Sequence, residues 1–258
     1  VHHGTGKIET TFGTLSYQPG DYIVIPIGTI YRVLPEAGEQ TFLVVETTSW
    51  ITTPKRYRNN HGQLLEHSPF CERDIRGPES LEPQVEDGEY EVRTKSRGFL
   101  HSHTLGHHPL DVVGWDGYLY PWIFNIADFE PITGRIHMPP PIHQTFEANH
   151  FVVCSFVPRM YDYHPDAIPA PYYHSNVDSD EVLYYVKGNF MSRKGVGEGS
   201  ITLHPSGIPH GPHPGTIEAS IGKKETLELA VMIDTFRPLK VVKDAQTIED
   251  QAYKYSWR

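Results

Sequence analysis

The stretch between Pro171 and His210 places glutamate, histidine, glycine and proline at fixed intervals. Glu181 is followed by six residues and then Gly188, and the second run of spaced residues comprises Gly199, Pro205, Gly207 and His210. Glycine and proline favour the turns between short strands. Side chains from neighbouring strands can then point inward to one place. The stretch therefore predicts two β-hairpins whose histidine and glutamate side chains converge.

Both intervals are the spacings of cupin half-motifs, which form a small double-stranded β-barrel around one metal ion. Near the start of the chain, Gly20, Pro26, Gly28 and Tyr31 repeat the spacing of the second run. Tyr31 stands where His210 stands, so this copy lacks a metal ligand and is predicted to be structural, with Tyr31 in the core or at an interface. We therefore expect an all-β fold, a double cupin of jelly-roll β-barrels with a degenerate first barrel and a metal-binding second barrel.

Differences in how regularly apolar and polar residues alternate predict three segments of the chain. Residues 1–50 alternate well and are predicted to hold the degenerate first cupin, with strands at 7–10, 13–17, 21–25 and 41–46. Residues 51–130 are expected to connect the barrels, and residues 131–258 to form the second cupin, with strands at 152–157 and 227–234 and a short helix at 247–257. Since the chain starts at Val1 without Met, we also expect that a segment before it is missing.

Composition narrows the range of partners and compartments. The formal net charge of −10 argues against nucleic acid and anionic membrane surfaces as partners. Cys71 and Cys154 are the only cysteines, so a reducing, cytoplasmic compartment is expected. The sequence contains no apolar run long enough to span a bilayer. A small molecule is therefore the expected partner.

His174, Glu181 and His210 are the candidate metal ligands. Two neutral imidazoles and one carboxylate leave one face of a metal open, as in non-haem Fe(II) enzymes that take substrate and O2 side by side. Six residues separate His174 from Glu181, more than in ordinary cupins, so a bulge or insertion is expected there. Tyr172 replaces a possible fourth ligand and either lines the site or packs as an aromatic. His204 is a candidate substrate contact.

Other histidines are less specific. His101 and His103 would point to the same side of a strand, but no further ligand follows at barrel spacing, so we expect them to be solvated or between subunits. His137 and His143 flank three prolines. Proline fixes the backbone strongly, so this segment either holds a side chain over the site or forms a rigid loop.

Four motifs resemble those of the homogentisate 1,2-dioxygenases. They are HPLDVVGWDG at 108–117, PYYH at 171–174, the Glu181-to-Gly188 interval and PHGP at 209–212, and the resemblance covers roughly His107 to His213. It implies an enzyme that cleaves the ring of homogentisate with O2 and gives maleylacetoacetate in tyrosine and phenylalanine catabolism. It also implies an Fe(II) cofactor and a trimer-based homo-oligomer.

The resemblance assigns roles by position. His174, Glu181 and His210 match the iron ligands, and His137 matches the catalytic base, with His143 as the competing choice. For the substrate we expect contacts from His210, Tyr172 and His204.

Three departures leave other readings open. The His174-to-Glu181 interval is one residue longer than the family pattern, Ser175 stands in place of an arginine, and Phe190 stands in place of a substrate-facing tyrosine. A related dioxygenase acting on gentisate or another hydroquinone acid is therefore an alternative. Two further alternatives are a non-enzymatic metal-binding double cupin and a cupin isomerase or hydrolase that uses Mn or Zn.

Overall fold

A computed structural model describes residues 1–114, 117–135 and 140–257 of the chain. Strands dominate it, and the two α-helices are short, at Thr216–Ser220 (α1) and Lys243–Gln246 (α2). The all-β class is therefore confirmed. Single-turn 3₁₀ helices lie at Lys55–Tyr57, Glu72–Asp74, Ile126–Asp128, Pro140–His143 and Tyr253–Tyr255. Among the described residues, no helix has the length and apolar character needed to cross a membrane.

The chain forms two compact units that are each discontinuous in sequence. The first contains Val1–Trp50 and Glu72–Asp128, and the second contains Ile51–Cys71 and Phe129–Arg258. Residues 51–71 join the second unit because Thr52 pairs with Glu147 in an antiparallel bridge and the Tyr57 hydroxyl donates to Gln144 O at 2.9 Å. The expected three-part domain division stays a prediction.

In the first unit, the described residues form three antiparallel sheets. Their strands are β1 (Gly6–Thr10), β2 (Gly13–Tyr17), β3 (Asp21–Val24), β4 (Tyr31–Pro35), β5 (Ile75–Arg76), β6 (Asp87–Ser96), β7 (Phe99–His107) and β8 (Trp122–Asn125). The sheet orders are β2-β1-β4, β3-β8-β5 and β6-β7. Alternating side chains of β1 and β2 point inward, where Ile8, Leu15 and Tyr17 form a core cluster with Ile123 of β8.

Tyr31 corrects one expectation for this unit. Its side chain is 53% exposed on β4, so it is not a core residue. The interface reading stays a prediction.

The second unit is organised around a five-stranded antiparallel sheet. Its strands are β9 (Gln144–Glu147), β10 (Phe151–Phe156), β12 (Asp180–Lys187), β13 (Ile201–His204) and β15 (Leu229–Thr235). They lie in the order β13-β12-β15-β10-β9. A second small sheet pairs β11 (Arg159–Met160) with β14 (Glu225–Thr226). Within the described parts of the chain the sheets are open. The two barrels of the double-cupin expectation therefore stay a prediction.

Candidate metal centre

Strand β12 supplies the carboxylate of the site. It lies between β13 and β15, and its register sets Glu181 opposite His204 on one side and Asp234 on the other. The start of the strand is fixed by Asp180, whose carboxylate accepts from the backbone N–H groups of Leu239 (2.7 Å) and Ser206 (2.8 Å). These two hydrogen bonds lower the pKa of Asp180. Glu181 is therefore held, buried, on a rigid central strand.

A separate two-residue bridge supplies the imidazoles. His174 N donates to His210 O at 2.9 Å, and His210 N donates to His174 O at 2.8 Å. Directly opposite residues of an antiparallel pair project their side chains to the same side. The two ring centroids accordingly lie 4.4 Å apart. This reciprocal pairing joins the PYYH and PHGP segments.

The three predicted ligands are brought together. One ligand atom from each of His174, Glu181 and His210 lies within 4.8 Å of the other two, a grouping that could hold a metal ion. Glu181 and His210 are buried, and His174 is partly exposed. The cluster is thus open toward solvent on the His174 side.

Both imidazoles are oriented by the backbone. The Nδ1 atoms of His174 and His210 lie 3.0 Å from Tyr172 O and 2.9 Å from Ile208 O. Because a carbonyl oxygen only accepts, each Nδ1 carries the proton and each Nε2 keeps its lone pair for a ligand.

The buried Nε2 atom of His210 indicates whether the residues present suit a metal ion. Within the described residues, His210 Nε2 has no hydrogen-bond partner, and it lies 3.6 Å from Glu181 Oε2. A buried polar atom without a partner costs free energy unless something occupies it. Two imidazoles and a carboxylate are a donor set that suits a divalent transition metal. The residues present therefore fit a metal ion.

Electrostatics keep the carboxylate ionised. Burial alone would raise the pKa of Glu181, but the hydrogen bond from His204 and the nearby His210 imidazole outweigh it and hold that pKa well below the usual range. Burial lowers the pKa of His204 despite the opposing effect of Glu181. For His210, burial is outweighed by Glu181 and by the carbonyl of Ile208, so its pKa is raised. The carboxylate is thus negative whether or not a metal neutralises it.

Two neighbours of the site were not predicted from the sequence. Asp234 on β15 faces Glu181, and burial, reinforced by the Glu181 charge, raises its pKa to about 7. Tyr253 places its hydroxyl 3.1 Å from His204 Nε2. The only signal for Asp234 is its place in a predicted strand, which becomes informative once the register with β12 is known.

The expected substrate contacts occupy different positions around the cluster. Tyr172 is 53% exposed, and its ring centroid lies 5.4 Å from that of His174. The His204 ring stacks on that of His210 at 4.5 Å. Both His204 nitrogens are engaged, since Nδ1 lies 2.7 Å from Glu181 Oε1 and Nε2 contacts Tyr253.

The other histidines named from the sequence are not part of the ligand cluster or lie outside the described residues. His137, the expected base, is outside the described residues. His143, its alternative, is buried at the end of the 3₁₀ turn Pro140–His143, with its ring 4.6 Å from that of Phe156. His101 and His103 are exposed on β7 in the first unit, as the solvated reading expects.

Comparison with known protein families gives matches along nearly the whole chain. The family described as homogentisate 1,2-dioxygenase N-terminal matches residues 1–126, and the one described as homogentisate 1,2-dioxygenase C-terminal matches residues 138–258.

Individual relatives agree with these matches. A provisionally named dioxygenase of Saccharolobus solfataricus is 44% identical over 259 residues, covering 100% of this chain and 67% of the relative. The homogentisate 1,2-dioxygenases of Bradyrhizobium diazoefficiens and Nitrobacter hamburgensis are each 28% identical, covering 100% and 95% of this chain. The chain spans 60% and 56% of the length of these two enzymes. The chain therefore belongs to the homogentisate 1,2-dioxygenase family, a family of dioxygenase enzymes.

Proposed function

We propose that this protein cleaves the aromatic ring of homogentisate with O2 at a single Fe(II), giving maleylacetoacetate in tyrosine and phenylalanine catabolism. The observation that carries the proposal is the cluster of His174, Glu181 and His210, whose ligand atoms lie within 4.8 Å of one another. Two imidazoles and one carboxylate are the donor set of non-haem Fe(II) oxygenases. Family membership supports the chemistry, and the motifs around PYYH and PHGP support the substrate.

In this proposal the protein's residues hold, orient and enclose the reaction site. The iron supplies, when bound, a Lewis acid that favours the phenolate form of the substrate and a place for O2 beside it. Glu181 would be an ionised ligand, and the Nδ1 hydrogen bonds of His174 and His210 leave their Nε2 lone pairs available to an ion. Burial of Glu181 and His210 limits the access of water.

Substrate contacts and the base are proposals as well. Tyr172 lies at the partly exposed His174 side, where an aromatic substrate would enter, and His210 would contact the substrate as well as the ion. His137 is proposed to take the phenol proton and later return one, a role that typically contributes about 10² to 10⁴ in rate. His143 is the alternative base. His204 is reassigned from a direct substrate contact to the support of Glu181, because both its nitrogens are engaged.

The fold, assembly and compartment belong to the same proposal. We propose two cupin barrels, the first without a metal, in a trimer-based homo-oligomer in the cytoplasm. Gentisate or another hydroquinone acid is the second candidate substrate. Phe190 supports this second candidate, because it offers no hydroxyl to a substrate. Its ring is buried against that of Tyr185, with centroids 4.7 Å apart.

The test is O2 uptake by protein reconstituted with Fe(II) without air. Homogentisate is added, air is admitted, and oxygen consumption is followed together with the absorbance of the cleaved product. We expect one O2 per homogentisate. Glu181→Gln should reduce turnover more than about 100-fold, because loss of a ligand should cost more than the 10- to 100-fold typical of outer partners. Glu218→Gln, on an exposed residue of α1, is the matched control.

The outcomes separate the alternatives. Uptake with gentisate but not homogentisate would keep ring cleavage and change the substrate. Iron-loaded protein that consumes no O2 with either compound would contradict the enzymatic proposal and favour a non-enzymatic metal-binding double cupin.

A further inference from the structure

A short segment packs beside the metal centre at residues 253–257. The Tyr253 hydroxyl lies 3.1 Å from His204 Nε2, and the other nitrogen of that ring, Nδ1, lies 2.7 Å from Glu181 Oε1. Three groups thus form a continuous chain of hydrogen bonds that ends on the carboxylate of the candidate metal ligand.

The direction of each hydrogen bond follows from the acceptor at the end of the chain. An ionised carboxylate only accepts, so His204 Nδ1 carries a proton and donates to Glu181. In a neutral imidazole whose proton is on Nδ1, Nε2 is an acceptor, and it lies within hydrogen-bond distance of the Tyr253 hydroxyl. Burial raises the pKa of Tyr253 to about 12, so its hydroxyl is protonated and donates to Nε2.

The two carboxylate oxygens of Glu181 have different neighbours. Oε1 is held by His204, whereas Oε2 lies 3.6 Å from His210 Nε2, on the side of the ligand cluster. A group that fixes Oε1 therefore also fixes where Oε2 points.

We propose that Tyr253 is a positioning residue for the metal centre, acting through His204 to hold Glu181 in its ligating orientation. This inference rests on the proposed function, because it needs a metal ion at the cluster. Without the Tyr253 hydroxyl, the far end of the His204 ring loses the hydrogen bond that fixes it. The ring could then turn away from Glu181 Oε1, and Glu181 would be held less firmly.

The segment is anchored independently of the Tyr253 hydroxyl. Ser256 Oγ lies 3.2 Å from His213 Nε2, and the Trp257 ring packs against that of His213 with centroids 4.6 Å apart. Arg193, which donates to Gly211 O, lies over the Trp257 ring at 5.2 Å. These contacts remain when the hydroxyl is removed, so Tyr253→Phe is expected to fold and to keep its ring in place.

The experiment titrates the metal-free full chain with Co(II), a probe whose visible absorption reports the geometry of its ligands. Affinity is measured by competition with a chelator. We expect Tyr253→Phe to bind Co(II) about 10-fold more weakly than the wild-type protein, at the low end of the range for outer partners of a metal ligand. The Co(II) spectrum of this variant should also differ from that of the wild type.

Two variants control for effects on the segment itself. Tyr255→Phe removes a hydroxyl from an exposed ring in the same 3₁₀ turn. Ser256→Ala removes the anchor to His213 without touching His204. Both should match the wild type in Co(II) affinity and spectrum.

Three results would overturn the inference. Equal affinity and an identical spectrum for Tyr253→Phe would refute the positioning role while leaving the metal centre intact. An equal loss in Ser256→Ala would assign the effect to anchoring of the segment rather than to the hydrogen-bond chain. If wild-type protein bound no Co(II) in a Glu181-dependent way, the metal centre would fail, and the role of Tyr253 with it.

Discussion

The His213 side chain is fully buried, and its neighbours select one form of the ring. Lys194 N donates to Nδ1 at 2.9 Å, so the proton is on Nε2, which donates to Ser256 Oγ at 3.2 Å. Burial, together with the positive charges of Arg193 and Lys194, lowers the pKa of His213 to about 4. The folded protein therefore keeps this imidazole neutral through most of the mildly acidic range.

A pH-dependent loss of stability follows from His213. In the unfolded chain a histidine titrates near pH 6.5, so between pH of about 6.5 and 4 the unfolded state takes up a proton that the folded state does not. The folded pKa is depressed, so the stability from neutral His213 is present above the unfolded pKa and lost as pH falls toward the folded pKa. The slope approaches about 1.4 kcal/mol per pH unit.

His213→Asn should flatten this dependence, since asparagine does not titrate and its side-chain oxygen can still accept from Lys194 N. The measurement is the free energy of unfolding of metal-free protein by denaturant at several pH values from 7 to 4. Parallel curves for the variant and the wild type would contradict the assignment.

At the scale of elements, the ligand-bearing segments approach closely at Gly211. A Cβ atom there would lie 2.8 Å from Tyr173 Cδ1, 2.9 Å from Tyr173 Cα and 3.2 Å from Tyr172 O. Tyr172 O is also the acceptor that orients His174. The glycine of the PHGP motif is therefore needed so that the bridge between His174 and His210 can form.

Gly211→Ala should push the two segments apart and destabilise the fold by about 1–3 kcal/mol, as overpacking typically does. It should also weaken metal binding, because the bridge sets the spacing of the two imidazoles.

The control is Gly207→Ala, where φ is +78° but no atom lies within 4 Å of the added Cβ. There we expect a cost of about 1–2 kcal/mol from the left-handed backbone alone, with metal affinity retained. Unfolding curves and Co(II) titrations measure both effects. Unchanged affinity in Gly211→Ala would contradict the role of the close approach.

Strands that could be predicted are those with strong local alternation or a continuous apolar run. The predicted strands at 7–10, 13–17 and 21–25 correspond to β1, β2 and β3, and the one at 152–157 corresponds to β10. The predicted strand at 41–46 is wrong, since only Thr41 pairs there, with His3. β4 was missed, because its five residues are all exposed and show no alternation. The helix expected at 247–257 is reduced to a 3₁₀ turn at Tyr253–Tyr255, after the short α2.

For the site, too, residues in short motifs could be predicted, whereas contacts that depend on strand pairing could not. His174, Glu181 and His210 could be named from the sequence because each lies in a short motif. The contacts of Glu181 with His204 and Asp234 depend on the register of β12 with β13 and β15, which no local pattern fixes. Tyr253 reaches the site from 49 positions beyond His204, and a tyrosine in this terminal segment carries no local signal of such a contact.

At the scale of the whole molecule, all three candidate ligands lie in the unit that contains Ile51–Cys71 and Phe129–Arg258. A ligand that binds only the folded state stabilises it by mass action, by about 2.7 kcal/mol at 100 times Kd. For a unit of this size we expect Fe(II), added without air, to raise the unfolding temperature by about 5–10 °C. Calorimetry measures the shift. The same rise in Glu181→Gln would show that the ion stabilises the protein from another site.

The central claim is that His174, Glu181 and His210 hold one iron ion. It is tested most directly by equilibrating metal-free protein with Fe(II) under anaerobic conditions, removing unbound metal and measuring the iron retained per chain. The predicted result is one ion per chain in the wild-type protein and in Glu218→Gln, and almost none in Glu181→Gln. Iron retained equally by Glu181→Gln and the wild type would contradict the account.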